Sequence, residues 1–189
     1  LELLENNGTG QFQRHLIQQN DPERLERHMV GDVDRDGDLD VVIVKNLRGH
    51  LLWFENDGSP TDGMLWQRHV ITTQLPGAYD VALADFDQDG DLDVAASSWV
   101  LGNQFAWFEN DGTPWDREWR KHLIEADVAE TRTMRAADFD GDGDADLLGT
   151  VRQESKVLWY ENRPTAEGVF WTRHVIDGTS VCPAHGNPF

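Results

Sequence analysis

Three nine-residue runs carry an aspartate at every odd position: Asp32 to Asp40, Asp85 to Asp93, and Asp138 to Asp146. Their first aspartates lie 53 residues apart both times, so the runs mark one repeating unit. Five carboxylates crowded together repel one another unless a counter-charge neutralises them. Oxygen donors at alternate positions suit a hard cation, and calcium accepts about six to eight oxygens in a flexible geometry. The expected ligands are Asp32, Asp34, Asp36, Asp38 and Asp40 in the first loop. They are Asp85, Asp87, Asp89, Asp91 and Asp93 in the second, and Asp138, Asp140, Asp142, Asp144 and Asp146 in the third. In the first loop Asp32, Asp34 and Asp36 supply side-chain oxygens, Asp38 offers its carbonyl and Asp40 closes the site. Gly37 permits the sharp turn between them. One Ca²⁺ per loop, three in all, is the expectation.

The opening six positions also begin an EF-hand loop. That loop wants a bidentate glutamate at its twelfth position, where these runs have Ile43, Ala96 and Gly149. The residues after the first two loops, Val41–Val44 and Val94–Ser97, are strand formers rather than the start of a helix. EF-hand and dockerin readings therefore fail. The surviving pattern, D-x-D-x-D-G-x-x-D between two strands, resembles the calcium loop of FG-GAP/VCBS-type repeats, the blades of integrin-like β-propellers. All three copies keep it without a substitution.

Two further motifs follow each loop. One is Trp-[Phe/Tyr]-Glu-Asn, beginning at Trp53, Trp107 and Trp159. The other places an aromatic three residues before a histidine: Phe12 and His15, Trp66 and His69, Trp119 and His122, Trp171 and His174. Residues 1–17 match the tail of an earlier copy. Self-similarity at this period decides the architecture before any local reading does. In the second unit short strands are expected at 79–85, 91–98, 104–109 and 119–125, each bounded by turn residues. Asp57-Gly58, Asp111-Gly112 and Asn7-Gly8 read as hairpin turns between strands three and four. Pro164 forces a different turn in the last copy. The one helical candidate is the stretch 21–28.

The predicted fold is all-β: a β-propeller of four-stranded blades. The boundaries are 1–17 for the end of one blade, then 18–71, 72–124 and 125–176 for three blades. Residues 177–189 would begin another, with Ala184–Phe189 in a strand-one position. Repeated aromatics are expected to pack between blades, each too small to bury its faces alone. A piece of a longer propeller fits this count best. Pairing of two chains into one ring and closure as four blades are the alternatives.

The net charge of −19 excludes partners that need a basic surface, nucleic acid and anionic membrane among them. Three Ca²⁺ would leave about −13, so the exclusion stands. Cys182 is the single cysteine and cannot form a disulfide within the chain. No apolar run reaches membrane-spanning length. The chain opens at Leu1 with no leader pattern, as expected of a mature product or a piece of one.

His15, His69, His122 and His174 occupy one position of the outermost strand, so they are read as structural ties rather than catalysts. Function is sought where the repeat breaks, on the innermost strand: His28, Asp80, Met134 and Arg135, with Arg27 and Arg132 nearby. His28 and Asp80 are an acid/base combination to be tested by geometry. His50 and His185 have no support as site residues. No nucleophile elbow, zinc-protease helix or phosphate loop is present. The resemblance implies a calcium-stabilised, secreted or cell-surface module that binds glycans or proteins. The alternative is a carbohydrate-active enzyme, of polysaccharide lyase or sugar dehydratase type, with a site in the channel or on a face.

Overall fold

In the computed structural model, residues 1–19 and 25–177 are described, and their regular elements are all β-strands. The short β-branched and aromatic runs between turn residues cannot bury both faces alone. They assemble into antiparallel four-stranded sheets that stack on one another.

The first sheet holds β3 (Leu25–Gly31), β4 (Asp40–Lys45), β5 (His50–Glu55) and β6 (Gln67–Thr72) in chain order. The second holds β7 (Ala78–Ala84), β8 (Asp93–Ser98), β9 (Gln104–Glu109) and β10 (Arg120–Glu125). The third holds β11 (Thr131–Ala137), β12 (Asp146–Val151), β13 (Lys156–Thr165) and β14 (Gly168–Asp177). Before them, β1 (Glu2–Asn6) and β2 (Phe12–Leu16) form a two-stranded sheet, as the partial repeat predicts. Neighbouring sheets approach through their first strands, β3 against β7 and β7 against β11.

The core lies between sheets. Val42, Val44, Leu51 and Trp53 of the first pack on Val81, Val94, Ala96 and Phe108 of the second. Ala95, Phe105 and Trp107 of the second pack on Met134, Leu147 and Leu158 of the third. Burying such side chains is worth about 1.5–3 kcal/mol each, so every interface supplies what a lone sheet lacks. Trp119 closes the first interface and Trp171 lies against the second. Phe12, which meets no other sheet among the described residues, is 61% exposed. The rule that repeated aromatics lie between sheets thus holds only where both neighbours exist.

One expectation is corrected. The described part of the helical candidate, Leu25–His28, is strand, with Leu25 and His28 paired to Lys45 and Ile43 of β4. The Asp-Gly dipeptides do lie between paired strands three and four. Residues 56–66 and 110–119 form long connections in which Gly58 and Gly112 take positive φ, and Asp57 and Asp111 cap local turns. The tight turn is in the third sheet, where Thr165 pairs with Gly168 and Pro164 sits inside an extended hairpin. Cys182, His185 and the segment 184–189 lie outside the described residues.

Candidate metal centres and inner-strand cluster

Each acidic loop joins the first strand of a sheet to its second, and its shape follows from its own side chains. In all three, the amide of the sixth-position glycine donates to the first aspartate: Gly37 to Asp32 at 3.2 Å, Gly90 to Asp85 at 2.9 Å, Gly143 to Asp138 at 3.2 Å. These glycines have φ of 98°, 97° and 98°, a region closed to most side chains. Residues Arg35 and Gln88, two positions earlier, are also left-handed at φ 64°. Third and fifth aspartates accept the amides two residues on, fixing their oxygens inside the turn.

The ninth aspartates anchor the loops. Asp40, Asp93 and Asp146 have no exposed surface. One oxygen of each accepts the amide of the loop's second residue: Val33 at 2.8 Å, Phe86 at 3.0 Å, Phe139 at 3.1 Å. The other accepts the amide of the Trp-[Phe/Tyr]-Glu-Asn asparagine: Asn56 at 2.9 Å, Asn110 at 2.8 Å, Asn162 at 2.8 Å. Two of the seventh-position aspartates bond to the preceding loop. Asp91 meets Arg35 of the preceding loop at 2.8 Å, and Asp144 meets Gln88.

The loops bring carboxylate oxygens to within 4.8 Å of one another in three trios: Asp32, Asp34 and Asp36; Asp85, Asp87 and Asp93; Asp138, Asp140 and Asp146. The donor set is oxygen only, as a hard cation requires. One oxygen of Asp32 and one of Asp85 are buried with no hydrogen-bond partner, although desolvating an unpaired carboxylate oxygen is costly. Burial, followed by repulsion from neighbouring carboxylates, holds the carboxyls of Asp87 and Asp89 above the usual range. Burial, aided by repulsion from neighbouring aspartates, outweighs two backbone donors at Asp40, pushed up to about 6, and at Asp93, pushed up to about 8. The residues present therefore fit calcium, which would relieve each of these costs.

A pH dependence follows. Asp93 ordinarily titrates near 3.8 and in the fold near about 8, so its contribution to stability is complete below pH 4 and is lost as pH rises toward 8. In chelator, melting temperature should fall as pH goes from about 5 to about 8, by several degrees. In calcium that slope should flatten, because a bound cation favours the ionised carboxyl. Thermal scans at both pH values in both conditions check this, and a chelator slope of the opposite sign would refute it.

The four histidines tie strand four to strand three. Nε2 of His15, His69, His122 and His174 bonds Glu5, Glu55, Glu109 and Glu161, at 2.6 to 2.9 Å. Three of the rings also stack on Trp53, Trp107 and Trp159 at 4.2 to 4.4 Å. Every partner is itself a repeated residue, so this is a lock within each blade.

The unrepeated residues gather elsewhere. Each first strand bulges at one place, between Leu25 and His28, Ala78 and Val81, and Thr131 and Met134. The bulged pairs, Glu26-Arg27, Tyr79-Asp80 and Arg132-Thr133, escape the ladder and differ in every sheet. Arg132 lies 4.9 Å from the Tyr79 ring centre and 4.2 Å from that of Trp99, while Arg27 lies 5.8 Å from Tyr79. Asp80 is buried and accepts the Met134 amide and the Arg135 guanidinium, both at 3.1 Å. His28 is exposed on β3, and among the described residues no bond joins it to Asp80. The acid/base combination is thus not formed. Tyr79 and Trp99 escaped the sequence reading: Tyr79 leaves the ladder at a bulge, and Trp99 follows the end of β8.

Repeated four-stranded β-units with an acidic loop between their first two strands define the class. Residues 32–96, from the first loop into the second strand of the next sheet, match the FG-GAP-like repeat family, which makes that segment an FG-GAP-type repeat. No curated protein matches the chain. Among the described residues no helix is long and apolar enough to cross a membrane.

Proposed function

We propose that this chain is a calcium-stabilised β-propeller module that works outside the cell by binding a glycan or protein ligand. The observation that carries the calcium part is the pair of buried, unpartnered oxygens on Asp32 and Asp85, each inside a trio of carboxylates. Millimolar extracellular calcium would saturate even weak loops of this kind.

Propeller closure is supported by one face. Val42, Val44, Leu51 and Trp53 are buried by the second sheet, and Ala95, Ser97, Phe105 and Trp107 by the third. Their equivalents on the third sheet, Leu148, Thr150, Val157 and Trp159, are only half-buried. A further blade is the element that would cover them.

The ligand surface in this reading is the bulged inner cluster, where Arg27, Tyr79, Trp99 and Arg132 place guanidinium groups against aromatic rings. Guanidinium forks with ring faces suit a carboxylated sugar or an acidic side chain. The test is incubation with a panel of neutral and acidic polysaccharides, in calcium and in chelator, reading retention and chain length. Retention without shortening, lost in chelator and weakened at least about tenfold by Arg132→Ala, is the expected result. Shortened chains would instead assign the carbohydrate-active enzyme. Absence of retention with a protein ligand as well would overturn the binding reading.

A further inference from the structure

We propose that the three cation loops are energetically coupled, and that Asn110 and Asn162 are the positioning residues that couple them. The inference rests on the calcium reading. It comes from hydrogen bonds that cross between sheets, whereas that reading comes from oxygens within a loop.

Asn110 accepts the Gly112 amide at 3.2 Å and donates three bonds into two loops. Its amide donates to Asp93, the ninth ligand of the second loop, at 2.8 Å. Its side-chain nitrogen donates to the Leu92 carbonyl in that same loop at 3.3 Å. The same nitrogen donates to the Val33 carbonyl of the first loop at 3.0 Å. Val33 stands between Asp32 and Asp34, so the peptide that aims two ligands of the first site is held by the residue that anchors the second. Asn162 repeats the arrangement: its amide bonds Asp146 at 2.8 Å, and its side chain bonds Ala145 at 3.0 Å and Phe86 of the second loop at 2.8 Å. Phe86 in turn donates its amide to Asp93. The result is an unbroken chain of buried bonds from the first loop through the second to the third. Asn110 and Asn162 are almost wholly buried, so these bonds act in a low dielectric where misalignment is costly.

A second link runs along the rim. Arg35 and Gln88, held left-handed at the fourth position, reach the seventh aspartate of the following loop. The first of these bridges carries a charge and the second does not, so the two junctions are unequal.

A cation that orders the first loop fixes the peptide around Val33 and so lowers the entropy that the second loop has left to lose. That is positive coupling without a change of shape. It is reciprocal: loading the second loop tightens the first by the same factor.

The test is calcium titration by calorimetry on the whole chain. The expected parent behaviour is three sites with cooperative filling. Disabling the first loop with Asp34→Asn and Asp36→Asn should weaken binding at the second by about fivefold or more. In an Asn110→Ala background the same loop-one change should weaken the second site clearly less, leaving only what the Arg35–Asp91 link carries. Should Asn110→Ala fail to fold, Arg35→Ala removes the exposed link and should reduce the loop-one effect at the second site. Independent filling in the parent would overturn the coupling, as would a loop-one effect that persists undiminished in whichever of these backgrounds folds. Absence of calcium binding in the parent would overturn the underlying reading instead.

Discussion

Asp87→Asn with Asp89→Asn should lower the melting temperature by roughly 5–10 °C in millimolar calcium and leave it unchanged or slightly raised in chelator. A ligand at about a hundred times its Kd stabilises by about 2.7 kcal/mol. In a domain of this size each kcal/mol moves the melting point by about 2–4 °C. The sign in chelator is set by the same carboxylates. Asp87 and Asp89 have raised proton affinities because burial and like charge disfavour their ionised forms. Replacing them by amides removes repulsion with Asp85 and Asp91 and costs only part of the local hydrogen bonding. Metal binding is therefore the one contribution that the double variant must lose. Differential scanning calorimetry of parent and variant in the two conditions separates the effects. Equal melting in calcium would exclude the second loop as a site. Because each repeat touches only its neighbours, hydrogen exchange should rise first in the second sheet and last in β1 and β2.

Much of this architecture was legible because the repeat supplies three readings of the same local code. Strands at 93–98 and 104–109 follow from apolar runs bounded by turn residues, and the register that pairs Val94 with Phe108 keeps those runs on buried faces. The loops were legible as candidate ligand sets because aspartate at alternate positions has few purposes other than binding a cation. What was not legible is what crosses between sheets. Nothing in the local pattern says that Asn110 reaches Val33, since those residues are 77 apart and the bond exists only once two sheets have stacked. The length of the connections was less legible: Gly58 sits close against Asp38, so the dipeptide also serves the acidic loop rather than closing a tight turn. The bulges were invisible too. They move Tyr79 and Arg132 off the ladder without leaving a trace in hydrophobic periodicity.

Asp93→Ala should destabilise the chain by about 2–6 kcal/mol in calcium, and at about pH 6 by a similar amount in chelator, unlike the change at Asp87 and Asp89. Both oxygens of Asp93 accept buried amides, from Phe86 and Asn110, and each orphaned donor costs about 1–3 kcal/mol. An opposing effect must be weighed. The Asp93 carboxyl is pushed up to about 8 by burial, so above that pH the fold bears the cost of a desolvated charge that alanine would remove. At about pH 6 the group is protonated in chelator, no charge cost exists, and lost hydrogen bonds decide the sign. At about pH 9 in chelator the penalty should shrink, because removal of the charge offsets part of it. In calcium it should stay large at both pH values, since the cation balances the charge and the anchor still holds the loop. Urea unfolding of parent and variant at the two pH values, with and without calcium, reads this pattern directly. A penalty confined to calcium would make Asp93 a ligand and nothing more. A penalty of equal size in all four conditions would mean that its burial carries no electrostatic cost.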